Sequence, residues 1–412
     1  MNAKSIGNTI AKLRKKCGMT QAALAEKLNI SDKTVSKWES GQGYPDITLF
    51  PLLSSVFGVT IDYLMLGERR GIVVVGNTIA DVVKNIDDYP SVGRLSHISD
   101  ITYAVGGCVP NVSINLVKID RSIPVSGVGA VGMDEYGRYI IGQLQYHGVN
   151  IDNMTFLSGV ETAFTDVMSI PSGERTFFNK KGADAEFSPS HIDIKSLSCT
   201  LLHIGYIFML DKFDAPDEEY GTVMARFLAN VQNAGIKTSF DVQSSNNGDF
   251  AEKVIPALKY ANYAIMNEIE AASTWNIEAR DANGKLNIEN IRLSMEKMIE
   301  CGVKDKAIVH SKEACFSLDA VTGEFTMVPS IALPKSEIKG SVGAGDAFCA
   351  GCLYGIYNEY ADKQLLEFAS AAAACSLFAP GAVDGMRDKN EILMMNEKYG
   401  RLKLDYKNTA GK

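Results

Sequence analysis

The chain has 412 residues, 46% of them hydrophobic and 22% charged, an ordinary globular composition that excludes disorder as the state of most of it. No apolar run approaches the ~18 residues a membrane span needs, and the basic start MNAKSIGNTIAKLRKKCG lacks a signal peptide's apolar core, so a cytoplasmic protein with no membrane contact is expected. The net charge of −8 is uneven: residues 1–70 carry a surplus of four positive charges and the remainder −12, as expected of two modules with different partners.

The first 67 residues read as helices. Ile6, Ile10, Leu13 and Cys17 recur at helical spacing until Gly18. Thr20 caps a second helix carrying Ala22, Leu24, Ala25 and Leu28, and Asn29 supplies a left-handed turn. Ser31 caps a third helix with Val35 and Trp38 facing inward, ended by Gly41. The apolar stretches Ile47–Phe57 and Ile61–Leu66 follow. The small Ala25 lets two helices cross closely, and Asp32, Lys33, Thr34, Ser36 and Lys37 on the third helix suit base edges and phosphates.

The run Thr20–Gly41, TQAALAEKLNISDKTVSKWESG, followed by Gly43-Tyr44-Pro45-Asp46, resembles the Xre/Cro-type helix-turn-helix. Asn29 stands where that family usually has Gly. The resemblance implies that Gln21 meets a phosphate or base and that Asp32, Lys33, Thr34, Ser36 and Lys37 face the major groove of double-stranded DNA. Docking to a protein is the competing reading. Specific binding generally uses two half-sites ~34–36 Å apart, so a homodimer held by the larger domain is expected.

Gly67-Glu68-Arg69-Arg70-Gly71 forms a polar joint. Beyond it, strand-like runs (Ile72–Val75, Val125–Val128, Leu201–Ile204, Thr238–Phe240, Ala264–Met266, Ala307–His310) alternate with helical ones (Asp134–His147, Glu219–Ala234, Asn287–Cys301, Leu365–Phe378). This predicts an α/β domain with a largely parallel sheet over residues 71–400, preceded by an all-α domain over 1–67. Segments 92–105 and 162–180, the latter turning at Pro171-Ser172-Gly173, read as hairpin strands outside the main sheet, a small β lid.

Three chemical signals stand in this region. Gly127-Val-Gly129-Ala-Val-Gly132 with Asp152 matches a dinucleotide fingerprint, but Asp134 and Glu135 put negative charge where a pyrophosphate would sit. Gly340-Ser-Val-Gly343-Ala344-Gly345-Asp346 opens a helix; its small residues free backbone N–H groups for an anion beside a carboxylate, which suits phosphoryl transfer with Asp346 as base. Asn267 and Glu270, three apart after a strand, either hold a hydrated Mg²⁺ or cap a helix. The eight cysteines are scattered and expected reduced. Cys349 and Cys352 form a C-x-x-C with no second pair or His at metal spacing, so two small apolar residues in a helix is the leading reading and a redox pair the other.

Taken in order, Gly76 to Asp81, Gly106-Gly107 with Asn111, Gly129-x-x-Gly132-x-Asp134-x-x-Gly137, Asn267-x-x-Glu270 and Gly340–Asp346 resemble the ribokinase (PfkB) carbohydrate kinases. The third of these also accounts for the dinucleotide-like glycines. The resemblance implies a ribokinase-like three-layer α/β/α domain with a β lid, and an ATP- and Mg²⁺-dependent sugar kinase. It makes Asp346 the base and Gly343, Ala344 and Gly345 the anion hole. Asp81, Gly106, Gly107 and Asn111 then bind the sugar; Asn267, Glu270 and Ser341 serve the nucleotide, with Glu270 on Mg²⁺ through water. Arg175 and Lys180 in the lid lie where substrate could be met. Gly340 replaces an acid found near the family's monovalent-cation site, which argues against potassium activation, and His310-Ser311-Lys312-Glu313-Ala314 replaces the nucleotide-side T-x-G-x-x-G. The leading expectation is a sugar kinase joined to a DNA-binding head; a sugar-sensing regulator without catalysis is the alternative.

Overall fold

The computed structural model describes residues 3–67, 70–243 and 249–404; Glu68 and Arg69 of the expected joint lie outside them. The chain divides into two compact units, residues 1–71 with Asp193–Thr200, and the rest.

The first unit has helices Ala3–Lys16, Gln21–Leu28, Asp32–Glu39, Phe50–Phe57 and Ile61–Leu66, with a 3₁₀ turn Ile47–Leu49 before the fourth. Local chemistry sets their ends. Thr20 and Ser31 accept from the backbone of Ala23 and Thr34, and Asn29 takes φ +53°, as its short polar side chain allows. Ile6, Ile10, Leu24, Leu28, Val35, Trp38 and Leu53 form the core. The tightest approach is at Gly7, where a Cβ would lie 1.8 Å from the Trp38 carbonyl oxygen; Ala25 is buried as expected. Cys17 and Ala22 are exposed rather than inward, because the first helix stops at Lys16 and the second buries its Leu24–Leu28 face.

In the second unit an eight-stranded sheet runs, edge to edge, Phe325–Pro329, Ala314–Asp319, Lys306–His310, Tyr263–Asn267, Lys237–Val242, Leu201–Ile207, Ile72–Gly76 and Val125–Val128. The last six are parallel; Ala314–Asp319 runs against them, and Phe325–Pro329 pairs antiparallel to it. Ile72–Gly76 is buried throughout, as a strand covered on both faces must be. Ile72, Val74, Leu201, Ile265 and Ile308 share a core with helices Cys108–Ile119, Ala344–Tyr357 and Asp362–Ser376. Alternation turns Val73 and Val75 to the other face, where helices Val223–Asn233 and Ile288–Glu300 pack against the strands Lys237–Val242 and Lys306–His310. The three-layer α/β/α architecture is therefore present.

The lid is a four-stranded sheet in the order Ile98–Gly106, Ile79–Ile86, Ala163–Ser169, Arg175–Lys180. Of its two inner strands, Ile79–Ile86 escapes sequence reading, since Asp81, Lys84 and Asn85 interrupt a clean alternation, and residues 92–97 are not strand. The helix expected from Glu219 starts at Val223, because Asp217 holds the Glu219 and Tyr220 N–H groups in a turn and Thr222 caps the helix.

Candidate active site

Asp346 lies in the first turn of helix Ala344–Tyr357, whose N-cap Gly343 takes φ +75°. A Cβ on Gly343 would stand 2.5 Å from that of Ala382, so both conformation and space demand glycine. The Asp346 side chain is buried. Its carboxylate accepts from Asn111 Nδ2 at 2.9 Å and from the Tyr206 hydroxyl. Burial pushes its pKa up to about 7; the Tyr206 bond works the other way, and the nearby carboxylates Asp241 and Asp81 add to the rise.

The two glycines before helix Cys108–Ile119 have separate tasks. A Cβ on Gly106 would sit 2.5 Å from Asp81 Oδ2, and one on Gly107 (φ +85°) 2.7 Å from the Asn77 carbonyl oxygen. They let Asp81 and the helix start close in together. Burial pushes the Asp81 carboxyl up to about 6, against a hydrogen bond from Thr165 and the charge of Arg175. Asn111 points at Asp346 rather than only at open space, while its Oδ1 is buried without a partner among the described residues.

The cleft beside Asp346 is lined by Tyr206, Asp241, Asn267, Glu270, His310, Ser341 and the Gly343–Gly345 turn. Asn267 and Glu270 form a reciprocal cap: Asn267 Oδ1 accepts from the Ile269 and Glu270 N–H groups, and Glu270 accepts from Asn267 N at 2.9 Å and Nδ2 at 2.6 Å. The cap reading and the cleft position thus both hold. His310 packs its ring 4.6 Å from Phe348, and burial pushes its pKa down to about 4. A Cβ on Gly345 would meet only that ring, at 3.7 Å. At Gly340 a Cβ would come within 2.9 Å of the Pro380 backbone, so an acid cannot replace it without displacing that segment. Lys180 is paired with Glu161, and Arg175 opens the last lid strand.

The dinucleotide-like glycines serve packing. Cβ atoms on Gly132 and Gly137 would fall 2.3 Å from the Val160 carbonyl oxygen and 2.2 Å from that of Gly132. Asp134 caps helix Glu135–His147 through the Gly137 N–H and also binds Thr162. Asp134 and Glu135 keep the start of that helix negative, which disfavours a pyrophosphate there.

Sequence reading missed Tyr206, Asp241 and the role of His310. A signal did exist: these three and Asn267 stand at the carboxyl ends of four neighbouring parallel strands, where open α/β sheets place ligands.

In the helical unit, Asp32, Lys33, Ser36 and Lys37 are exposed. Thr34 is half-buried and its hydroxyl bonds Ser31 Oγ at 2.8 Å. Asp32 accepts from its neighbour Lys33 N. Gln21 donates to Glu39 Oε2 at 2.8 Å, which fixes its amide at the start of the second helix.

A family model described as pfkB family carbohydrate kinase matches residues 69–389, and a helix-turn-helix model matches residues 10–64. The chain is 22% identical over 335 residues to the ribokinase of Schizosaccharomyces pombe, covering 78% of this chain and 96% of that one. It is 23% identical over 318 residues to the 5-dehydro-2-deoxygluconokinase of Geobacillus kaustophilus, covering 72% and 86%. The structure of Arabidopsis thaliana ribokinase complexed with ribose and ATP superposes with a TM-score of 0.64 at 20% identity, over 79% of this chain and 98% of that one, which shows the fold. The family match over residues 69–389, on a ribokinase fold with its motifs gathered around one carboxylate, establishes that the chain belongs to the pfkB family of carbohydrate kinases.

Proposed function

We propose that residues 71–400 transfer the γ-phosphoryl group of Mg·ATP to a hydroxyl of a sugar or sugar-like alcohol, with Asp346 as base, and that residues 1–67 bind double-stranded DNA so that the protein regulates genes linked to that sugar. The observation that carries the kinase reading is the buried Asp346 carboxylate, held by Asn111 and Tyr206 at a glycine-opened helix start. The N–H groups of Gly345 and Asp346 have no intrahelical acceptor, and the bare Gly345 leaves a cradle beside them. These features fit a phosphate; Ser341 borders it, and Asn267 with Glu270 fits a hydrated Mg²⁺. Mg·ATP, when bound, supplies the phosphoryl group. Asp346 accepts the proton of the attacking hydroxyl, Tyr206 and Asn111 fix the direction of its carboxylate, and the N–H groups of Gly345 and Asp346 stabilise the charge that builds, that of Ala344 being held by the Ser341 carbonyl. Asp81 and Asn111 Oδ1 take the sugar's other hydroxyls, with Gly106 and Gly107 keeping the space open. Gly340 excludes the usual acid, so no potassium activation is expected.

The test is ADP release from Mg·ATP across sugars and sugar acids, including ribose and 5-dehydro-2-deoxygluconate, with Asp346→Asn as control. Silence across the panel, with sugar-dependent thermal stabilisation, would instead support a sensor. That reading draws on His310 and Gly340 in place of the usual nucleotide and cation residues.

The base must be charged to act, so kcat/KM falls as pH drops through about 7. The Tyr206 hydrogen bond favours the carboxylate, so Tyr206→Phe moves this limb to higher pH. A pH–rate profile that stays in place, with only the maximum lowered, would deny Tyr206 that role.

For the DNA reading, the exposed Lys33 and Lys37 each neutralise a phosphate. Lys33→Ala with Lys37→Ala lowers the slope of log affinity against log salt by about two. Fluorescence anisotropy on a selected duplex measures it; no salt-sensitive affinity in the parent chain would point to a protein partner. Ile98, Ile101, Tyr103 and Phe178 leave an exposed apolar face on the lid, which supports a homodimer and hence two DNA half-sites. Among the described residues no helix is long and apolar enough to cross a membrane, in keeping with a cytoplasmic place of action.

A further inference from the structure

One buried cluster is not used by the proposed phosphoryl transfer. His203 is fully buried on the strand Leu201–Ile207. Its Nε2 stands 3.4 Å from Cys349 Sγ and 3.5 Å from Asp241 Oδ2. Cys108, His203 and Asp241 offer ligand atoms all within 4.8 Å of one another. Asp241 is over nine-tenths buried, and its Oδ1 has no partner among the described residues. We propose that Cys108, His203 and Asp241 bind a soft, tetrahedral cation, Zn²⁺ in the first place, directly beneath the kinase base, and that Cys349, whose Sγ touches His203 but stands outside that mutual cluster, turns in as the fourth ligand.

The separation of His203 from Asp241 favours a metal over a hydrogen bond. An N···O separation of 3.5 Å is long for a hydrogen bond. Zinc bond lengths of ~2.0–2.2 Å to nitrogen and oxygen give tetrahedral N···O edges of about 3.3–3.5 Å, which the His203–Asp241 contact meets; Cys349 Sγ, 3.9 Å from Nδ1 as well, lies over the ring face and turns toward the ion to join it. The outer shell is in place as well. His203 Nδ1 lies 3.1 Å from Ser239 Oγ; donating there, the ring turns its Nε2 lone pair toward the cluster, as metal-binding histidines do. Two thiolates, an imidazole and one carboxylate suit Zn²⁺ far better than Mg²⁺. Asp241 and Cys349 also line the cleft, which gives an ion a way in. On binding, each thiol proton leaves to solvent as its sulfur becomes a thiolate ligand.

Numbering shows what the ion would hold. Cys108, His203 and Cys349 each stand three residues from a member of the base constellation: Asn111, Tyr206 and Asp346. On the two helices that spacing keeps the ligand on the same face, one turn from the site. A bound cation therefore ties together the two helices and two strands that aim the catalytic carboxylate.

The full-length chain, stripped by chelator dialysis, is titrated with Co²⁺. One cobalt per chain is expected, with tetrahedral d–d bands and a thiolate-to-cobalt charge-transfer band, a higher melting midpoint, displacement by Zn²⁺ and none by excess Mg²⁺. Cys108→Ser and Cys349→Ser should each weaken the charge-transfer band, Cys17→Ser should leave it, and the near-isosteric Asp241→Asn should lower cobalt affinity at least ~10-fold. The parent chain alone can overturn the site: no charge-transfer band, or a weak octahedral spectrum displaced by Mg²⁺, sinks it whatever the variants do. A band lost in Cys17→Ser, or unchanged in both Cys108→Ser and Cys349→Ser, places the metal elsewhere.

Discussion

Asp346→Asn is expected to lower kcat about 10³-fold, the scale of a positioned general base, with the sugar's KM changed far less. Asparagine keeps the size; its one oxygen accepts from Tyr206, and its amide N–H meets the Asn111 oxygen once that amide turns over, so the cleft keeps its shape while the proton acceptor is lost. Stability should move the other way. The folded carboxyl is raised to about 7 by burial, above its unfolded value of ~3.9. Between these values the unfolded chain sheds a proton that the folded chain retains, so stability falls as pH rises through this window. Asp346→Asn removes that loss, and its melting midpoint should exceed the parent's at pH 8 while matching it near pH 4. Steady-state kinetics with paired melting curves check both halves. A variant that loses turnover and stability together would show Asp346 to be a structural acid.

Arg14→Met should cost the helical unit about 3 kcal/mol, at the low end for breaking one side of a buried ion pair. Arg14 meets Glu39 twice, at 2.6 and 2.8 Å, and donates to the Met19 carbonyl at 2.7 Å; each side chain of the pair is about nine-tenths buried. Burial pushes the Glu39 carboxyl up, but the bonds from Arg14 and Gln21 outweigh it and hold it below its usual range. This stabilisation is present above the unfolded carboxyl pKa and is lost as pH falls through the lower folded one. In the variant, DNA affinity should collapse at temperatures where sugar-kinase turnover is unchanged. Retained DNA binding with an unshifted melting curve would make the pair a surface ornament.

Why some of this was legible follows from contact range. Thr20, Asn29 and Ser31 act on backbone groups within a few residues of themselves, so they announce helices without any knowledge of the fold. Gly343–Gly345 and Asp346 likewise sit in one turn. Tyr206 reaches Asp346 across 140 residues and Asn111 across 235; only the order of strands in the sheet brings them together. The same holds for His203 and Cys349, so a C-x-x-C with no histidine nearby in sequence gave no hint of an imidazole against it. Ile79–Ile86 escaped for a different reason. The middle strand of a small lid is buried unevenly, and its polar residues hide the period of two.

The joint between the first core strand and the lid is two residues long, Asn77 and Thr78, both fully buried. Thr78 N–H is held by Asp184, and Asn77 Oδ1 by the Cys108 N–H. At ~3.4 Å per residue, Asp81 stands about 10 Å beyond this joint and the far end of its strand about 27 Å. A 10° tilt of the lid would then carry Asp81 by only about 2 Å and the far end by about 5 Å. On the proposed reading, in which Asp81 meets the sugar, that carboxylate behaves as part of the stationary frame, and sugars are told apart before the mouth narrows. Such a tilt moves the far end of the lid most.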